Sequence, residues 1–164
     1  MRRTLTVSLF ALMFAMPAFA QEPAAAGAND GERVKATMVK FQDDLQALEA
    51  DAVAKNVTLN AEEAAAFWPQ FKAYQTEQRR IADGQIAAVK DYADRFKTLT
   101  DADAQAYVNS LLDRDQQVHD LRKKYLALYT KTIGPRKAAT VIHLGRKLGF
   151  ATQARLAEVI PLVH

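Results

Sequence analysis

The chain has 164 residues, a formal net charge of +3 and no cysteine. Without cysteine it has no disulfide, no thiolate metal ligand and no thiol nucleophile, and a lipid-anchored N-terminal cysteine is not expected. About half of the residues are hydrophobic (49%), which is enough for one domain with a real core.

The first 20 residues have the composition of a secretory signal peptide. Arg2 and Arg3 precede an apolar run over residues 7–16, and residues 18–20 are Ala-Phe-Ala. This order of positive, apolar and small-residue parts is typical of a signal peptide, and the run is too short to span a bilayer comfortably. We therefore expect cleavage after residue 20 and a soluble periplasmic protein that is not a lipoprotein.

A flexible leader is expected over residues 21–31 and a single all-helical domain over residues 32–163. The leader is rich in alanine, contains proline and glycine, and has no apolar period. Beyond it, apolar residues recur every three or four positions, which predicts four amphipathic helices. No segment of useful length alternates with period two. The expected fold class is all-α, with four long helices forming helical hairpins.

A helix-start signal at residues 60–63 separates the first two predicted helices. Asn60 is suited to cap the second helix, and Glu63 stands at the position that completes a capping box. Pro69 predicts a kink in this helix, and Asp83-Gly84 is a second weak point. The apolar stripe of the first helix is Val34, Met38, Phe41, Leu45, Leu48 and Ala52; that of the second is Phe67, Phe71, Tyr74, Ile81, Ala88, Tyr92 and Phe96.

The third and fourth predicted helices meet at Gly134-Pro135. Thr100 and Asp103 form a second capping box at the start of the third helix. Glycine suits a left-handed helix end, and proline suits a first helical turn. Gly149-Phe150 is a possible break in the fourth helix. The third stripe contains Val108, Leu111, Val118, Tyr125, Leu128 and Tyr129; the fourth contains Ala138, Val141, Ile142, Leu148, Leu156, Val159 and Ile160.

The two helix starts, at residues 59–68 and 99–108, can be overlaid as similar segments forty residues apart. One interpretation is the internal duplication of a helical hairpin. The other is two similar caps before alanine-rich helices. The sequence favours neither.

Groups that could carry out catalysis are scarce. Ser110 is the one serine after residue 20, and the six glycines are scattered, so nucleophilic catalysis and a phosphate-binding loop are not expected. Neither His119 nor His143 follows a carboxylate by three residues, so the Glu-x-x-His pattern of di-metal bundles is missing. We expect no enzyme and no cofactor.

Two weak ligand pairs remain. Asp115 and His119 are spaced i, i+4 and could hold a metal ion on one helix face, with Asp120 and the terminal His164 as further candidates. A solvated charged face is the favoured interpretation. Met38 and His143 could ligate a haem iron axially across the bundle, although ordinary core or boundary positions are commoner for both types.

Charge is divided unevenly along the chain. Residues 21–120 hold 11 Lys/Arg and 18 Asp/Glu, a net charge of −7, whereas residues 121–164 hold 9 Lys/Arg and one Glu, a net charge of +8. The basic end can fold onto the acidic part, pair with a second copy, or face an anionic surface. Neutralisation within the chain or a dimer is the favoured interpretation.

An aromatic set and a basic set are the candidate partner-binding residues. Apolar surface rimmed by cations suits reversible capture of unfolded chains. The sequence alone favours the alternative, in which the aromatic residues are core and the cations keep the protein in solution. Phe67 and Trp68 nevertheless point about 100° apart, so one of them should lie outside the apolar seam between the helices. The aromatic set is Phe67, Trp68, Phe71 and Tyr74; the basic set is Arg122, Lys123, Arg136, Lys137, Arg146 and Lys147.

The signal peptide, the four helices and the two L-[N/T]-x-x-[E/D] helix starts together resemble the Spy/CpxP-like periplasmic family, which is named for an L-T-x-x-Q motif. The segments Phe-Trp-Pro-x-Phe at 67–71 and Ile-Gly-Pro-Arg-Lys-Ala at 133–138 look like an uncharacterised branch of it. The resemblance implies a curved antiparallel helical dimer acting as an ATP-independent chaperone, or as an envelope-stress accessory that restrains a sensor kinase. Glu63 and Asp103 replace the family's Gln, and clustered histidines are missing, so a metal-sensor role is not implied.

Three function classes follow from these observations. The leading hypothesis is a periplasmic chaperone or stress accessory that binds exposed apolar segments of unfolded or envelope proteins as a homodimer. The second is a small helical bundle that binds a ligand, a metal or haem. The third is a structural partner that docks one envelope protein or the membrane surface through the basic residues 121–164. Nucleic acid is not expected as a partner, nor is contact with a membrane surface.

Overall fold

The computed structural model describes residues 30–160, except for the side chains of residues 30, 34, 155, 158 and 159. Four α-helices make up almost all of this part of the chain. They are α1 (Asp30–Asn56), α2 (Ala61–Arg95), α3 (Asp101–Ile133) and α4 (Pro135–Val159), with a short 3-10 turn at Phe96–Thr98 after α2. No strand occurs within residues 30–160. The predicted all-α class with four long helices is confirmed.

The first described helix starts two residues before residue 32, the expected start of the domain. The signal peptide and most of the leader lie outside the described residues, but α1 already begins at Asp30. Gly31 is buried, because the side chain of Asp94 in α2 lies where a side chain at residue 31 would stand. The first turn of α1 therefore packs closely against α2.

Both predicted capping boxes are formed. The side chain of Asn60 accepts from the Glu63 amide at 2.8 Å, and the Asn60 amide donates to Glu63 Oε2 at 2.9 Å. At the start of α3, Thr100 and Asp103 make the same reciprocal pair at 3.2 and 3.1 Å. Gly134 has φ +81° and ψ 161°, a conformation that only glycine adopts readily. Its positive φ was expected, although ψ lies outside the left-handed helical region.

The helices run through the predicted weak points without interruption. α2 continues through Pro69 and Gly84, and α4 continues through Gly149 and Phe150. Proline removes one backbone hydrogen bond from a helix, at a cost of about 3 kcal/mol. Buried apolar side chains lie on both sides of Pro69 in α2, and their packing holds the two parts in one helix. The predicted break at residues 149–150 is wrong.

The helices form an antiparallel bundle with up-down-up-down order. α1 and α3 each pack against both α2 and α4, and short loops join each helix to the next. Ion pairs between Asp43 and Arg79 and between Glu32 and Lys90 join α1 to α2 in antiparallel register. All four apolar faces therefore meet inside one chain. The curved dimer implied by the family resemblance stays a prediction.

The interior consists of two separate clusters of buried apolar side chains. The larger core cluster is Val53, Val57, Phe67, Phe71, Tyr74, Leu121, Tyr125, Tyr129, Ile133, Ala138 and Val141; the smaller core cluster is Met38, Ile86, Val89 and Leu156. Beside the smaller cluster, the rings of Tyr92 and Tyr107 stack 4.1 Å apart.

The buried face of α1 differs from the predicted stripe. Leu48 was expected inside but is 49% exposed, whereas Glu49 is only 1% exposed. Val53, not Ala52, is the fully buried residue one turn later. In α3, Val108 was also expected inside and is 43% exposed. These errors are shifts of one residue, about 100° around a helix.

The positions of the two capping boxes bear on the proposed duplication. They begin α2 and α3, which are the two successive helices of one antiparallel hairpin. A duplicated hairpin would place them at equivalent helices of two hairpins. The structure therefore favours two similar caps.

Candidate ligand-binding cavity

The predicted aromatic set is mostly core. Phe67, Phe71 and Tyr74 have exposures of 0%, 2% and 2%, whereas Trp68 is 36% exposed. Phe67 contacts the ring of Trp68 and packs against Tyr129 of α3 at a centroid distance of 5.0 Å. Three of the four residues therefore cannot contact a partner while the bundle is folded, because their own neighbours cover them. Trp68 is the member that lies outside the seam.

The predicted basic set divides into two groups. Lys137 donates to Glu63 at 2.7 Å, and Arg136 and Lys147 are exposed on α4. The other three members, Arg122, Lys123 and Arg146, line one cavity. Together with a 2.7 Å pair between Lys124 and Glu77, the Lys137 contact shows that the basic end is neutralised in part by the acidic α2.

A cavity of about 760 Å³ lies between the two core clusters. All four helices contribute to its wall. The wall includes residues of the smaller core cluster, and it also includes Ile81 and Ile142, which pack against the larger core cluster. The size falls within the range of small-molecule sites, roughly 300–1,000 Å³. Apolar wall residues include Met38, Phe41, Leu45, Ile86, Leu111 and Leu156.

Positive charge predominates among the charged residues of the wall. Asp115 is its carboxylate, and it is paired with Arg114. Arg146 lies over the ring of Phe150 at 5.5 Å, and that ring is 62% exposed. Arg122 and Lys123 are in no ion pair within 4.0 Å among the residues that the structure describes. The cavity thus combines apolar walls with cations that outnumber its carboxylate.

Several polar atoms of wall residues are buried without a hydrogen-bond partner. They are Nε2 of Gln42, Oε1 of Gln78 and Nε of Arg122. A buried polar group without a partner is costly and calls for an explanation, such as a water molecule or a ligand. These three atoms have almost no accessible surface, so they lie behind the wall and do not themselves face the cavity.

Glu49 lies beside Arg122 and was missed by the sequence analysis. Burial raises the pKa of its carboxyl from 4.5 to about 7, against the opposing effects of the Arg122 charge and of polar groups on Gln78, Gln75 and Tyr74. Burial also raises the pKa of the Tyr74 hydroxyl, and the nearby Glu49 carboxylate adds to that shift. A carboxyl with a pKa near 7 changes its charge under physiological conditions.

A close approach of α4 helps to enclose Glu49. Gly145 is buried, and a side chain there would overlap Oε1 of Glu49. One turn later, a β-carbon at Gly149 would stand 3.0 Å from Arg122. Two sequence signals could have revealed this arrangement. One is the i, i+4 spacing of Gly145 and Gly149. The other is a glutamate that stands four residues after Leu45 and four residues before Val53, in line with the apolar face of α1.

The predicted metal and haem pairs do not form larger sites. Asp115 and His119 both line the cavity, but residues 30–160 contain no group of three or more potential metal ligands among the described side chains. Met38 packs with Leu156, thirteen residues along α4 from the exposed His143. That separation is about 20 Å along a helix, so the two cannot ligate one haem iron.

Comparison with models of protein families, with curated proteins and with solved structures yields no match. Within the described residues, no helix has the combination of length and apolarity that a membrane span requires.

Proposed function

We propose that the protein is a non-catalytic helical bundle that binds an elongated apolar compound in the cavity between its four helices. The observation that carries this proposal is the interruption of the core: two packed clusters are separated by a cavity of about 760 Å³ with largely apolar walls. The cavity opens to solvent, since exposed residues such as Arg146 and Phe150 belong to its wall. Ligand sites in helical bundles lie between facing helices.

A dye-binding assay with a cavity-filling variant tests the proposal. An environment-sensitive apolar dye should gain fluorescence with the wild-type protein, and a neutral long-chain alcohol should displace it. Ala82 lines the cavity, so Ala82→Phe should reduce dye affinity at least tenfold by occupying the space. Ala87 is exposed on the same helix and does not line the cavity, so Ala87→Phe is the matched control. Equal loss in both variants, or no dye binding, would reject the cavity as the site.

A second candidate is capture of apolar segments of other envelope proteins in the manner of the Spy/CpxP-like family, after export to the periplasm. Exposed apolar side chains at the cavity, Phe150 and Leu126, lie among the cations Arg146 and Lys123. Apolar surface with a cationic rim is suited to such capture. In this candidate the partners are unfolded proteins or a sensor-kinase domain, and the protein acts as a homodimer.

Light scattering of an unfolding client separates the two candidates. Capture of segments predicts suppression of aggregation at near-stoichiometric ratios, weakening with salt because the cationic rim contributes. Phe150→Gln should then reduce suppression. Dye binding without any suppression would leave only the small-ligand function.

A further inference from the structure

Arg122 is the cation whose surroundings point most clearly to a ligand. It lies on α3 with a half-buried side chain, and it lines the cavity. Its Nε is buried without a hydrogen-bond partner, and no carboxylate lies within 4.0 Å of its guanidinium among the described residues. Guanidinium groups favour planar, bidentate contacts with carboxylates. No described carboxylate makes such a contact with Arg122, whose charge acts on the more distant Glu49, and Arg122 lines the cavity.

We propose that the cavity binds a fatty carboxylate, a single acyl chain whose carboxylate group is held by Arg122 and whose chain lies against the apolar wall. This inference rests on the proposed function and specifies its ligand class. Lys123 and Arg146 lie at the same cavity, so the field there attracts anions.

The dimensions of the cavity favour a single chain over a peptide. An α-helix is about 10 Å wide, so a volume of about 760 Å³ holds a helical segment of roughly six residues. Recognition of a helix in a groove uses two helical turns, which is a longer segment. An extended peptide would bring two backbone polar groups per residue, each in need of a partner. An acyl chain has no such requirement and suits walls formed by Met38, Leu45, Ile86 and Leu156.

Three matched ligands test the inference by calorimetry at pH 8 and low salt, below their aggregation limits. Dodecanoate has chain and charge, dodecanol has the chain alone, and butyrate has the charge with too little chain. Dodecanoate is expected to bind at least tenfold more tightly than dodecanol, and butyrate to show no measurable binding. Raising the salt concentration should weaken dodecanoate binding more than dodecanol binding. Stronger binding of dodecyl phosphate than of dodecanoate would overturn the carboxylate assignment.

A double variant identifies the residue that holds the charge. Removing Arg122 alone leaves Glu49 buried without its cation, so Glu49→Gln/Arg122→Gln is compared with Glu49→Gln. The preference for dodecanoate over dodecanol should persist in the single variant and fall to about one in the double variant. Arg136→Gln, which removes an exposed cation away from the cavity, should keep the wild-type preference.

The outcomes distinguish this inference from the function on which it rests. Dodecanol binding that Ala82→Phe abolishes, without any preference for dodecanoate, would retain the apolar site and overturn the fatty-carboxylate ligand. A preference that survives in the double variant would overturn the role of Arg122. Failure of both long-chain ligands to bind would overturn the inference and the function together.

Discussion

Replacing Glu49 by Gln should remove most of the pH dependence of stability between pH 5 and pH 8. The carboxyl is 1% exposed and lies among Tyr74, Arg122 and Tyr129, with Gly145 of α4 against it. Burial disfavours its charged form more than the Arg122 charge favours it, so its pKa is raised to about 7 in the folded chain. Glutamine has nearly the same shape and is neutral at every pH.

The sign and size of the effect follow from proton linkage. The folded state binds the Glu49 proton more tightly than the unfolded state, in which the pKa is 4.5. Its contribution is therefore fully present below pH 4.5 and is lost as pH rises through 7. A difference of about 2.5 pKa units corresponds to about 3 kcal/mol. The wild-type free energy of unfolding should fall by about that amount from pH 5 to pH 8.

Urea unfolding followed by circular dichroism at half-unit pH steps measures this curve for wild type and variant. Asp44→Asn is the matched control, since Asp44 is an exposed carboxylate on the same helix with no ion pair within residues 30–160. It should retain the wild-type slope, whereas Glu49→Gln should be nearly flat and more stable at pH 8. Parallel curves for wild type and Glu49→Gln would refute the argument.

Three further predictions concern stability and are measured by the same unfolding assay. Gly145→Ala should destabilise the folded state by about 1–3 kcal/mol, since the added methyl group would overlap the enclosed Glu49 carboxylate. Gly84→Ala, with open space around it, should stabilise the folded state by about 0.5–1 kcal/mol. Equal effects of the two substitutions would contradict the close approach of α4 to Glu49. Tyr129→Phe removes a buried hydroxyl without a partner and should be neutral or stabilising. Tyr125→Phe loses a 2.8 Å hydrogen bond to the Glu77 carboxylate of α2 and should lower the free energy of unfolding by roughly 1 kcal/mol. A larger loss of stability in Tyr129→Phe than in Tyr125→Phe would argue against this hydrogen bonding. Asn60→Ala should cost about 1 kcal/mol through loss of the N-cap, and an unchanged midpoint would count against the capping box.

Local signals predicted the helices well. Asn60, Thr100 and Gly134 act through bonds or backbone angles within a few residues, so the starts of α2 and α3 and the junction before α4 could be located from sequence. The break expected at Gly149 was wrong, because packing of α4 across the bundle holds it in one helix. The kink expected at Pro69 stays a prediction.

The site could be predicted only in part. Arg122, Lys123 and Arg146 were identified by charge, and they do lie at one cavity. Of the aromatic set, Trp68 is exposed and the other three are core, which is the alternative that the sequence favoured. The sequence shows that Phe67 is apolar but not that Tyr129 packs on it from α3. Glu49 was missed since a period of 3.6 residues leaves two adjacent positions as candidates for the interior, and hydrophobicity alone chooses Leu48.

Glu49 and the proposed anion site are adjacent, so their charges should be linked. An anion at Arg122 would weaken the field of the guanidinium at Glu49, one of the effects that now lower its pKa. The pKa would rise further, and at pH 7 binding of dodecanoate should take up a fraction of one proton. Calorimetry in two buffers of different ionisation enthalpy measures this uptake, which Glu49→Gln should abolish while binding persists. Equal proton uptake in wild type and variant would place the bound anion away from Arg122, because no other carboxyl has been found to approach that guanidinium within the described residues.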